Sequence, residues 1–191
     1  MMENNTEDIG TYKDVQNKLI SDNQEFFILP NAKNLGLVDG LKAMENLSII
    51  VNRAKKALEN HFYIEFISLK IQYLEFLLRI YWLIKNPDNK VLDENSQIFF
   101  GTLIHNCETL KFEPALINKL SDFNSTRNKA IHKFMMGATN EDELKIVCEK
   151  YSKLGNEIYN YVVDECGQFI EDVAKLPEEI GTIIISRPKR I

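Results

Sequence analysis

Cysteine and histidine are scarce in this chain, three of each among 191 residues, and both scarcities exclude chemistry. Cys107, Cys148 and Cys166 are odd in number and widely spaced, so no disulfide framework suggests itself. They fall at apolar positions of helical patterns and read as small core residues of a reducing compartment. His61, His105 and His132 are scattered, and no His, Cys, Asp or Glu set has the short spacing of a zinc or two-metal site, so no metal and no cofactor is expected. His61 and His105 read as structural or surface residues.

Long uncharged apolar runs are also lacking, so no membrane span is expected. The polar, acidic start from Met1 to Asp8 lacks the character of a signal peptide, and a cytoplasmic location is the expectation. Positive charge is in deficit, with a net of −5 at neutral pH. A protein that coats nucleic acid through a broad basic field is therefore excluded, because such binding rests on many phosphate contacts. Local cations suffice for an enzyme that engages a single phosphodiester. Arg127, Lys129 and Lys133 form one such cluster, and Arg187-Pro188-Lys189-Arg190 is a second basic spot, either solvated tail or binding arm.

Three- and four-residue apolar periodicity runs from Leu37 to Val173, with neither internal repeat nor low-complexity tract, and predicts an all-α, up-and-down helical bundle of four to five main helices. Residues 1–33 read as a polar extension with a short amphipathic stretch at Tyr12 to Ile20 and a break at Pro30; 34–176 are the helical domain, and 177–191 the tail. The first long helix carries Leu37, Leu41, Met44, Leu47, Val51, Ala54 and Leu58 on one face. The second, Phe62 to Ile84, is apolar around most of its circumference, and Glu65, Ser68, Gln72, Glu75 and Arg79 make one polar stripe. A helix of that kind is central to a bundle or lies at a subunit contact; its Tyr and Trp residues read as core rather than as base-stacking platforms. Glu65 or Glu75 could orient Arg127.

Asn86-Pro87-Asp88-Asn89 ends this helix, and a short one follows from Ser96 to Thr109, led by Ile98, Phe99, Leu103, Ile104 and Cys107. Pro114 suits the first turn of the next helix, which carries Leu116, Leu120, Phe123, Ala130 and Phe134 and closes at Gly137. Thr139, with Asp142 three residues on, caps a last long helix seamed by Val147, Tyr151, Leu154, Ile158, Val162, Cys166, Phe169 and Val173 and ended by Pro177. Strand character is confined to Thr182–Ser186.

Arg127-Asn128-Lys129-Ala130-Ile131-His132 is the segment that carries chemistry. Arg offers a permanent charged fork for phosphate oxygens, and His moves protons near neutral pH. Around the helix Arg127 borders the core stripe, and His132 falls about 140° beyond it. Between them lie Asn124, Asn128, Ile131 and Met135, a mixture foreign to both a plain surface and a plain core. A cleft or a subunit interface fits it; so does a bundle edge where Arg127 and His132 only bond neighbouring helices.

Two long helices, a short one, a helix with Arg-Asn-x-x-x-His and a long final helix resemble the HEPN superfamily, whose hallmark is Arg, a polar residue and a His four to six residues on. The similarity covers about residues 37 to 174. The resemblance implies metal-independent cleavage of RNA by homodimers of toxin or phage-defence type, with the two motifs meeting at the interface. Arg127, His132 and Asn128 would then be catalytic; Asn124, Lys129 and Lys133 would contact RNA; Ile131 and Met135 would be apolar interface. An antitoxin or regulatory protein is a further possible partner. Some of these toxins carry a Tyr two residues after the His that a partner nucleotidyltransferase modifies; here Phe134 stands there, with no hydroxyl to modify. The alternative is a non-catalytic dimeric scaffold or nucleotide- or RNA-binding module.

Overall fold

The computed structural model describes residues 24–29, 40–86, 98–170 and 184–189. Six helices and three strands lie in these segments: β1 (Gln24–Ile28), α1 (Gly40–Glu59), α2 (Tyr63–Lys85), α3 (Phe100–Thr109), α4 (Pro114–Met135), α5 (Glu141–Lys150), α6 (Leu154–Cys166), β2 (Gln168–Ile170) and β3 (Ile184–Pro188). The expected Tyr12–Ile20 stretch, Pro30, the start at Leu37, Pro87–Asn89, Ser96, Val173, Pro177, Thr182 and Arg190 lie outside the described residues.

The molecule is an all-α bundle with a small sheet added. α2 is its axis, packing against α1, α3, α5 and α6. That follows from its composition: Phe66, Ile67, Leu74, Leu77, Leu78, Ile80, Tyr81 and Trp82 are all buried, while the stripe from Glu65 to Arg79 stays half-buried or exposed. Burial over most of the circumference, with one polar stripe left outside, is what an apolar helix packed among several others requires. α1 contributes Leu47, Ala54 and Ala57 to the core, and Val51, expected in the same seam, is instead 41 % exposed. All three cysteines are buried and free. Burial pushes the Cys107 and Cys148 thiols up to about 12 and that of Cys166 to about 11, which keeps them protonated and unreactive at neutral pH.

α4 begins at Pro114 behind Glu113, whose side chain accepts from the Ala115 N–H. It ends in a Schellman arrangement. Ala138 N–H donates to Lys133 O at 2.8 Å and Gly137 N–H to Phe134 O at 3.0 Å, and Gly137 takes the left-handed φ of 68° that such a stop needs. The next cap is Asn140 rather than Thr139: the Asn140 side chain accepts from Asp142 N–H at 3.0 Å.

The single long final helix expected from the apolar seam is two helices and a strand. Ser152 Oγ donates to Glu149 O, diverting a backbone acceptor, and the buried Lys70 Nζ donates to Ser152 O at 2.8 Å, which holds the chain out of helix at 151–153. A second stop lies at Gly167. A Cβ there would stand 2.6 Å from Val163 O and 3.0 Å from Phe27 Cβ, so only glycine lets the chain leave α6 and run against β1.

Strand is therefore not confined to the tail. β1 lies at the centre of an antiparallel sheet of order β2-β1-β3, with Phe27 opposite Phe169 and Ile185. Phe27 and Leu29 join the main core, so part of the stretch read as a polar extension is packed against the bundle. Arg187, one of the basic tail residues, lies 4.5 Å over the Phe27 ring, pairs with Glu25 at 3.2 Å and bonds Asp164. Its charge is spent within the fold.

Candidate functional site

Three helices converge on Arg127. From α4 itself, Asn124 lies one turn earlier and accepts from Arg127 Nη2 at 2.8 Å. From α3, the Phe100 ring lies under the guanidinium with its centroid 5.7 Å from Cζ, a cation–π contact. From α2, Glu75 faces it electrostatically. The Arg127 charge favours the ionised Glu75, while burial, the larger influence, pushes that carboxyl above its ordinary value. Burial likewise lowers Arg127, and Glu75 opposes that shift. Arg127 Nε is buried and has no hydrogen-bond partner among the described residues. The side chain is thus fixed on one edge by Asn124 and the Phe100 face, with donor capacity left over.

Of the two acidic residues of α2 expected near Arg127, Glu75 is the one within electrostatic reach, with no ion pair closed between them among the described residues. Glu65 pairs instead with Arg53 at 2.7 Å. α3 passes close to α4 at Gly101, where a Cβ would stand 3.4 Å from Asn124 Nδ2, an ordinary contact.

The remaining motif residues are spread over the outer side of α4. Asn128, Lys129, His132 and Lys133 are exposed, and Lys133 pairs with Glu143 at 3.3 Å. Among the described residues the His132 imidazole has no hydrogen-bond partner. Met135 is 72 % exposed, whereas Ile131 is half-buried and packs against the chain's own core. Phe134, expected in the core with Phe123 and Ala130, is only half-buried. It walls a groove of about 450 Å³ shared with His61, Phe62, Tyr63, Ile64 and Leu144. The fold thus joins Arg127 to Asn124 and Phe100 within one chain and leaves His132 exposed further along α4.

His61 bonds Tyr63 through Nδ1 at 2.9 Å, and His105 pairs with Glu108 at 3.5 Å. Tyr63, Tyr73, Tyr81 and Trp82 are core residues. Among the described residues no group of three His, Cys, Asp or Glu side chains could hold a metal ion, and no helix is long and apolar enough to cross a membrane. Helical spacing puts Phe99 on the apolar face of the short helix, yet Phe100 takes the buried position and Phe99 is 80 % exposed. Comparison with protein-family models, curated proteins and solved structures finds no match to this chain.

Proposed function

We propose that the chain is a metal-independent endoribonuclease of HEPN toxin or phage-defence type, acting as a homodimer whose two motifs form one composite site. The observation that carries this reading is Arg127 itself: a guanidinium aligned by Asn124 and Phe100, with an unpartnered Nε, in the helix that also bears Asn128 and His132. Attack of a ribose 2′-oxygen on the adjacent phosphorus forms the O2′–P bond and breaks P–O5′. A base takes the 2′ proton, and an acid returns one to the leaving 5′-oxygen. Arg127 would stabilise the charge that builds on the phosphoryl oxygens. His132 would move a proton, and a two-fold partner would bring the second imidazole that one chain lacks. Asn128 would orient the phosphate or the ring. Asn124, already bonded to Arg127, acts through it, and Lys129 and Lys133 would meet the flanking phosphates.

The test is incubation of the purified protein with RNA in excess chelator. Product ending in 2′,3′-cyclic phosphate and 5′-hydroxyl is expected, and intact RNA would overturn the reading. The unheld imidazole of His132 favours a second reading, a dimeric scaffold or a nucleotide- or RNA-binding module that does not cut; bound but uncut RNA would identify it. Cytoplasmic location and an antitoxin or regulatory partner belong to the same proposal.

A further inference from the structure

Two helix stops border the groove that Phe134 walls, and both are Schellman arrangements. At the end of α1, Phe62 N–H donates to Ala57 O at 2.8 Å and His61 N–H to Leu58 O at 3.2 Å, and His61 takes a left-handed φ of 62°. At the end of α4, Phe134 O accepts from Gly137 N–H at 3.0 Å. An apolar residue just past such a stop commonly packs back onto the last turns of its own helix. For Phe62 those positions hold Lys56 and Ala57, a charged chain and a methyl group, and the ring is 60 % exposed. Phe62 is thereby left to line the groove instead.

Phe62, Ile64 and Phe134 remain accessible in the groove, while Tyr63 and Leu144, which also line it, are buried. Its volume of about 450 Å³ lies in the range in which proteins hold small organic molecules. The lining carries two carboxylates, Glu65 and Glu141, and neither lysine nor arginine. Glu65 is paired with Arg53 at 2.7 Å, whereas Glu141 closes no ion pair among the described residues. His61 Nδ1 lies 2.9 Å from the Tyr63 hydroxyl, so this side of the groove is held in place before anything binds. Aromatic faces and an unpaired carboxylate both attract a cation.

We propose that this groove is a binding site for a small organic ammonium with an aromatic body. The body lies against Phe62 and Phe134, and the cationic end meets Glu141. An anion of the same shape would face Glu141 with no compensating charge in the lining. The groove shares no lining residue with the surroundings of Arg127 and takes a ligand of opposite charge to phosphate, so this site stands or falls separately from the RNA-directed reading.

The experiment titrates the full chain with naphthylethylammonium and with its anionic counterpart, naphthylpropionate, and follows backbone amide shifts by NMR. The ammonium should move the amides of residues 61–65, 134 and 141–144 saturably and bind at least about tenfold more tightly than the carboxylate. Phe62→Ala should weaken the ammonium about tenfold and melt close to the wild type, because the ring it removes is exposed. Glu141→Gln, close in shape, should weaken the ammonium about threefold and narrow the preference between the two probes. Equal affinity for the two probes would overturn the proposal, as would shifts centred elsewhere or an ammonium affinity that Phe62→Ala leaves unchanged. Failure of both probes to bind would also overturn it: the groove would then belong to a second copy if Phe62→Ala changes the oligomeric state, and to another part of the chain if it does not.

Discussion

Asn124 Oδ1 accepts a hydrogen bond from Arg127 Nη2 at 2.8 Å across a single turn of α4. Three-residue spacing puts the two side chains on adjoining parts of one helix face, so the bond needs no help from loops or distant segments. It spends one of the five donors of Arg127 and fixes the plane of the fork.

Removing that alignment should cost rate more than stability. Asn124→Ala should lower kcat for RNA cleavage about tenfold to a hundredfold through misplacement of the guanidinium, with KM little altered. Stability should move by no more than about 1 kcal/mol, because the lost bond is offset by the better helix propensity of Ala. Asn124→Asp keeps an acceptor at the same place and should restore most of the rate.

Arg127→Ala and His132→Ala should each reduce cleavage by at least about a hundredfold. His132 is exposed, so its replacement should leave the thermal midpoint unchanged. Arg127→Ala empties a half-buried place over Phe100 and should lower stability modestly. Single-turnover cleavage alongside thermal melts checks both. Cutting at the wild-type rate by His132→Ala would remove this motif from the chemistry.

The interface should be probed at Met135. Ile131 packs against the core, so an aspartate there would disturb the fold itself and say little about assembly. Met135 is 72 % exposed on the same stripe. Met135→Asp should therefore fold normally, elute as a monomer and lose cleavage. A monomeric Met135→Asp that cuts RNA at full rate would contradict a composite site.

Lys70 gives stability a pH dependence of known sign. Burial lowers its ammonium to about 8 from an ordinary 10.5. Between these two values the unfolded chain binds more protons than the folded one, so Lys70 makes stability rise as pH rises from about 8 to about 10.5. The contribution is on the order of 3 kcal/mol. Tyr73, Tyr159 and the three thiols shift upward and act in the opposite direction over the alkaline range. The difference between wild type and Lys70→Met isolates the lysine: the wild type should gain on the variant across that window in urea unfolding. A constant difference would show that Lys70 keeps its ordinary affinity for protons.

Local chemistry was legible along the chain because it depends on neighbours three or four residues away. α1, α2 and α4 follow from apolar spacing, the start of α4 from Pro114, its stop from Gly137, and the burial of the cysteines from the helical faces they occupy. The Arg127, Asn128 and His132 stripe was readable for the same reason, since one helix carries it entire. What the tertiary structure alone decided involves partners far apart in sequence. β1 reads as polar extension until it meets β2 and β3, with Glu25 and Arg187 separated by 162 positions. The seam from Val147 to Phe169 looks continuous until Lys70 reaches Ser152 O and Gly167 lets Phe27 approach. Phe99 and Phe100 are identical in composition, and only packing of α3 against α2 and α4 determines which ring is buried beneath Arg127 and which faces solvent. Periodicity encodes a helix face; which neighbour covers that face is set by burial energy summed over the whole bundle, and that sum is absent from any local window.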